Sequence, residues 1–152
     1  IKAPVTARNF LHYVHAGLYS DGNFHHSFTT TNQENSKVKI QVIQGGANAL
    51  KRNQFPPAIG LETTKHTGLK HLNGVISMAR TKPNSATDQF FICIEDQPEL
   101  DFGGRRNPDG QGFAAFGRVT KGMEVVKQIQ NAPADKQSLN PKIMIQRAIR
   151  LN

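Results

Sequence analysis

The sequence predicts a mainly β domain: an antiparallel barrel, closed on itself and capped by two short helices. Three observations predict it. Short apolar runs with β propensity recur at 75–79, 90–94, 113–119 and 142–151, and residues 37–44 alternate, with Val38, Ile40 and Val42 on one face. Only 4–16 and 122–130 carry apolar residues at helical spacing. Clusters of Gly, Pro and Asn punctuate the rest. There is no internal repeat, and 152 residues suit a single domain, 1–152, with a real core.

Composition excludes several classes. Apolar residues make up 37%, with nine Phe and no Trp, so the chain is globular rather than disordered. No run approaches ~18 consecutive apolar residues, so nothing reads as a membrane-spanning helix. The lone Cys93 excludes an internal disulfide. It sits in an apolar run and reads as a small core residue rather than a nucleophile. The net charge of +8 favours solubility and weak attraction to polyanions. Its cations are scattered, however. Only Lys51-Arg52 and Arg105-Arg106 are adjacent, without interleaved aromatics, so no specific nucleic-acid binding is expected. The chain opens at Ile1, without a charged segment leading into an apolar one, and reads as lacking a signal peptide. The compartment stays open between bacterial periplasm and cytoplasm.

The elements follow in order. Pro4 suits a helix entry, Val5, Phe10, Leu11 and Val14 form a stripe, and Gly17 suits the exit. His12 and His15 could share a face but lack a third ligand, so no metal is expected. Ser20-Asp21-Gly22 is a turn, 23–28 a strand and 29–36 a polar loop. Val38, Ile40 and Val42 alternate with Lys37, Lys39 and Gln41 as a half-buried strand ended by Gly45-Gly46. Residues 47–70 form a long irregular connection, which in a compact domain is often functional. Two strands, around Val75–Ala79 and Phe90–Ile94, flank the turn Lys82-Pro83-Asn84-Ser85. Residues 95–112 are turn-rich. Their Asp101-Phe102-Gly103 spells a kinase tripeptide without the accompanying motifs, so it carries nothing. A strand at 113–119, a helix at 122–130, a loop at 131–141 and a strand at 142–151 complete the chain.

These pieces include an ordered set: Asn9-Phe10, Phe24-His25, Gln44-Gly45-Gly46, Gly68-Leu69-Lys70-His71, Gly74 with Ser77-Met78-Ala79, Gln89-Phe90-Phe91-Ile92, Leu100-Asp101, Phe116-Gly117-Arg118-Val119 and Gly122-Met123-Glu124-Val125-Val126. As a set the chain resembles the cyclophilins, a family of peptidyl-prolyl cis-trans isomerases. Met78-Ala79-Arg80-Thr81 with Ser85-Ala86-Thr87 looks most like the bacterial branch. The resemblance implies an eight-stranded antiparallel barrel with a helix over each end. It also implies two strands ahead of the first helix. Here they are missing, so the chain reads as N-terminally truncated.

The implied reaction rotates an X-Pro peptide bond, whose resonance sets a high barrier. It needs no nucleophile, metal or cofactor. It needs a proline pocket, amides that fix the flanking backbone, and a donor aimed at the prolyl nitrogen of the twisted transition state. By the resemblance, Phe91, Leu100 and Phe113 line the pocket, beside Val42. Gln44 and Gln89 supply amides. Ala79 and Arg80 lie on the rim, where an extended peptide could pair as an added strand; Arg80 reads equally as a solvated charge. The implied partners are proline-containing peptides and unfolded protein chains, bound by a monomer.

Departures cluster on one wall. His26 occupies the position of the family's catalytic arginine. The pair before Gly45-Gly46's glutamine neighbourhood is Gln41-Val42, where the family has an aromatic and a long thioether. The 27–41 loop is longer than the family pattern. Glu99 replaces an aromatic, and Phe113 lacks a polar tip. A preorganised donor is worth roughly a hundred- to thousand-fold in rate, so weakened activity is expected unless Lys37, Lys39 or Arg80 supplies a cation. Weak cyclosporin affinity is expected from the missing tryptophan and the charge of Glu99.

Overall fold

The computed structural model describes residues 1–152. Seven antiparallel strands form one sheet: β1 (Gly22–Phe28), β2 (Val42–Gly46), β3 (Val75–Met78), β4 (Phe90–Cys93), β5 (Ala114–Arg118), β6 (Ala134–Asp135) and β7 (Ser138–Ile145). They pair in the order β5-β3-β4-β2-β1-β7-β6. The mainly β, antiparallel expectation holds. The two expected helices are α1 (Pro4–His15) and α3 (Met123–Gln130). The segment read as irregular holds a 3-10 turn, Ala49–Gln54, and one helical turn, α2 (Thr64–Thr67).

The strands have two faces because side chains alternate. On one face Ser27, Ile43, Ile92 and Ile76 lie opposite one another across β1, β2, β4 and β3. This face meets the main core, where Ile43 and Ile92 pack with Tyr13, Leu18, Tyr19, Met78, Phe90 and Val126. Helix α1 covers that core with Tyr13 and Val14. Its own N-terminus lacks a side-chain cap; Glu62, from the long connection, accepts from the Val5 and Thr6 backbone N–H groups at 3.1 and 2.8 Å. A carboxylate there satisfies orphan donors and suits the helix dipole.

Three boundaries differ from expectation. The strand read at 37–44 begins only at Val42 and runs on through Gly45-Gly46. Before it, the Gln33 side chain stands in for a partner strand: its amide donates to the Ile40 carbonyl at 2.7 Å, and its oxygen accepts from the Ile40 N–H at 3.2 Å. Ile40 is therefore buried and satisfied outside the ladder. The glycines stay inside the strand because neighbours crowd them. A Cβ on Gly45 would lie 2.9 Å from the Phe24 ring, and one on Gly46 2.8 Å from the Asp88 carboxylate. The third difference is at the end. The segment read as a loop at 131–141 contains β6 and the start of β7, which passes through a cis Asn140–Pro141 bond and stops at Ile145 rather than Leu151.

Candidate functional site

The opposite face of the sheet carries four of the predicted site residues, His26, Val42, Gln44 and Phe91. His26 pairs with Gln44, and Gln44 with Phe91, as direct neighbours across β1, β2 and β4. Facing residues on adjacent strands stand ~5 Å apart, so these three side chains form a row. The next row on the same face is Phe28, Val42 and Cys93. Val42, Phe91, Cys93 and Leu100 pack with Ile40 as a second, smaller apolar cluster, and Phe28, Ala79 and Phe113 pack against it. The Phe91 and Phe113 rings meet edge to face at 5.2 Å. Val42, Phe91, Leu100, Phe113 and Ala79 thus come together as expected.

The amides sit at the margin of this cluster. Gln44 Nε2 donates to Gln89 Oε1 at 2.8 Å, and both residues are half-buried. One donor of Gln44 and the oxygen of Gln89 are thereby engaged. The remaining N–H groups and the Gln44 oxygen are left for a ligand backbone. On the rim, Ala79 N–H already donates to the Gln89 carbonyl at 2.9 Å. The rim extends past β3, which ends at Met78.

Arg80 is neither a solvated charge nor a free cation. Its guanidinium binds Asp109 through two bonds of 2.9 Å and the Gly112 carbonyl at 3.0 and 2.7 Å. Its side chain is only 1% exposed. The guanidinium carbon stands 5.4 Å from the Phe113 ring centre, so Arg80 fixes that ring. Asp109, hydrogen-bonded by Arg80, titrates below the usual carboxylate range.

Strand β1 carries a pair of adjacent imidazoles, His25 and His26. The β1–β2 and β1–β7 registers both slip between Phe24 and His26. Such a bulge breaks the alternation of faces, and the His25 and His26 rings stand 4.6 Å apart. Burial lowers the His26 pKa, and the charges of His25 and Lys142 lower it further. Burial also lowers His25, against partial opposition from the Asn23 backbone and Gln89. Both rings are therefore mostly neutral at pH 7.

Two residues that the sequence did not single out complete the face. Phe28 packs against the smaller apolar cluster, and its ring lies 5.9 Å from that of His26. Arg106 caps this ring, with its guanidinium carbon 5.6 Å from the Phe28 ring centre. Arg106 Nη1 donates to Gln33, Ser36 and the Val38 carbonyl at 3.2, 3.1 and 2.7 Å. The 27–41 loop is thus pinned over Phe28 from a distant segment. The adjacent Arg105 pairs with Glu99 at 3.0 Å.

One further constellation lies beneath the pocket. His71 Nδ1 meets Asp101 at 2.8 Å, and His71 Nε2 meets Ser77 Oγ at 2.9 Å. The connectivity matches a hydrolytic triad. Yet Ser77 and His71 are 0% and 1% exposed, so no substrate carbonyl reaches the hydroxyl. Its place is structural: the His71 ring stacks on Phe91 at 5.9 Å and 18°. Burial works against the Asp101 carboxylate, but the two N–H donors of His71 outweigh it and hold its pKa down.

Comparison with known proteins identifies the family. The model of the cyclophilin-type peptidyl-prolyl cis-trans isomerase family matches residues 1–150. The chain is similar to peptidyl-prolyl cis-trans isomerase A of Dickeya dadantii, 36% identical over 135 residues, spanning 88% of this chain and 64% of that protein. It is similar also to peptidyl-prolyl cis-trans isomerase B of Escherichia coli, 32% identical over 143 residues, spanning 93% of this chain and 80% of that one. Among solved structures, a Cryptosporidium parvum cyclophilin-type isomerase, crystallised in the presence of the dipeptide Ala-Pro, superposes with a TM-score of 0.74. It is 24% identical, covering 99% of this chain and 88% of that one, and this likeness bears on the fold. The sheet, its second apolar cluster and the family match lead to one conclusion: this chain belongs to the cyclophilin-type peptidyl-prolyl cis-trans isomerase family.

Proposed function

We propose that this chain binds proline-containing segments of peptides and unfolded proteins in the cluster of Val42, Phe91, Leu100 and Phe113, and isomerises the X-Pro bond slowly. The observation that supports this most is the row of His26, Gln44 and Phe91 across three strands, beside that cluster. A proline ring suits an apolar cluster with two ring walls, Phe28 and Phe113. Gln44 and Gln89 hold the flanking backbone through their unengaged groups. Ala79 and Arg80 offer the rim, with the Ala79 N–H already taken. The neutral His26 ring offers one N–H toward the prolyl nitrogen in place of a permanent cation. Arg80 is committed to Asp109 and does not replace it.

A second reading, a module that binds proline segments without turning them over, draws support from the same His26. Exchange spectroscopy on a short X-Pro peptide separates the two. Exchange cross-peaks enhanced by the protein support the isomerase; binding shifts without enhancement support the module. Cyclosporin is expected to bind weakly, because the charged pair Glu99–Arg105 stands where the family has an aromatic. Tight binding by calorimetric titration would overturn that expectation.

A further inference from the structure

Beside the proline cluster, sharing Phe28 with it, lies a cavity of about 940 Å³ lined mostly by polar residues. Residues 31–38 form one side, Arg105 and Arg106 a second, and Lys136 and Gln137 of the β6–β7 turn a third, with Phe28 between them. The loop is built rather than draped. Asn32 Nδ2 bonds the Ser27 and Lys136 carbonyls at 2.8 and 3.1 Å, Gln137 donates to the Asn32 carbonyl, and Arg106 holds the other arm.

The charge of the lining is predominantly positive. It holds Lys37, Arg105, Arg106 and Lys136 against the single acid Glu34. Arg105 is taken by Glu99, whereas Lys37, Arg106 and Lys136 have no carboxylate within ion-pair distance. Arg106 is the informative one. It is half-buried, and burial lowers its pKa from the ordinary value. All its side-chain bonds within the chain leave from Nη1, so Nε and Nη2 have no partner. A guanidinium edge with Nε and Nη2 free matches the two oxygens of a carboxylate. Phe28 connects this edge to the proline cluster: the Arg106 guanidinium lies over its ring, and Phe28 packs against the cluster that holds Val42 and Phe91.

We infer that this cavity is a subsite for an acidic residue of the bound proline peptide, its carboxylate held by the Nε–Nη2 edge of Arg106 and attracted by Lys37 and Lys136. The inference rests on the proposed binding of proline segments. It makes the chain selective among them. At ~3.3 Å per extended residue, the span of the Phe28 ring and the guanidinium above it places the acid about two or three residues from the proline.

The test uses the whole chain and pairs of peptides that differ only in Glu against Gln, walked over the three positions on each side of proline. Dissociation constants come from NMR titration. At one position Glu is expected to bind roughly tenfold more tightly than Gln, the scale of one charge-assisted hydrogen-bonded pair. The ratio should shrink with added salt. It should fall toward one in Arg106→Gln, survive in part in Arg106→Lys, and drop in Lys37→Gln, where no loop hydrogen bond is lost. Because the ratio is internal to each variant, a partly unfolded variant does not mimic the effect. Equal Glu and Gln affinities at every position, with proline peptides still bound, would overturn the subsite and leave the proposed function standing. Binding that ignores replacement of proline by alanine, or no binding at all, would overturn the proposed function and the subsite with it.

Discussion

On the proposed reading, His26 governs how the isomerisation rate responds to pH. Burial, His25 and Lys142 all lower its pKa. It is therefore neutral at pH 7 and becomes a cation only below the ordinary histidine value of ~6.5. If its ring faces the prolyl nitrogen, the isomerisation rate should rise as pH falls through that depressed pKa. The signs of the two pH effects are opposite. An unfolded His26 takes up its proton first, so the native state also loses stability as pH falls from ~6.5 through the folded pKa. A rate profile between about pH 5 and 8, measured by exchange spectroscopy, checks this; a flat profile would remove His26 from the chemistry. His26→Arg should raise the neutral-pH rate by up to roughly a hundredfold and flatten the profile. An unchanged rate in that variant would mean that the bulge aims the side chain elsewhere.

At the scale of elements, the loop before β2 is held by single side chains, and it should fail at single side chains. Gln33→Ala leaves the Ile40 N–H and carbonyl unpaired at a buried position, which costs about 1–3 kcal/mol. Faster amide exchange at Ile40 and a lower denaturation midpoint would report it. The sequence showed this region only in part. The alternation of Val38, Ile40 and Val42 correctly marked Ile40 and Val42 as buried. It could not tell a ladder from a side-chain amide that imitates one, because burial alternates either way. Helices α1 and α3 were legible because Pro4, Gly17 and Gly122 punctuate apolar stripes. The end of the chain was misread because Pro141 looks like a breaker, whereas β7 runs through it. In the site, Phe91, Leu100, Gln44 and Gln89 were legible through ordered motifs. Phe28 and Arg106 were not. No spacing rule links an arginine to Gln33, Ser36 and Val38, which lie 73, 70 and 68 residues away.

For the molecule as a whole, one sheet serves two apolar clusters, and these should separate in mutagenesis. Ile43 is fully buried in the main core, so Ile43→Ala should lower stability by about 2–5 kcal/mol. Proline-peptide affinity per folded molecule should change little. Phe91→Ala removes a wall of the smaller cluster and the stacking partner of His71, and its loss of affinity should exceed what its denaturation midpoint predicts. If both variants lose stability and affinity in the same proportion, the two clusters act as one. Strand β2 divides them residue by residue: Val42 and Gln44 face one side, Ile43 the other. That division governs where the chain tolerates a change of length. One residue gained or lost within 42–46 would turn Ile43 outward and Gln44 into the core. Residues gained ahead of Ile40 leave that parity untouched, provided that Gln33 still reaches Ile40 and Arg106 still reaches Val38. Insertions that keep a folded protein should therefore collect between Thr29 and Lys39, at points that spare Asn32, Gln33, Ser36 and Val38, and be absent from β2, a pattern that random-length libraries at the two places would reveal.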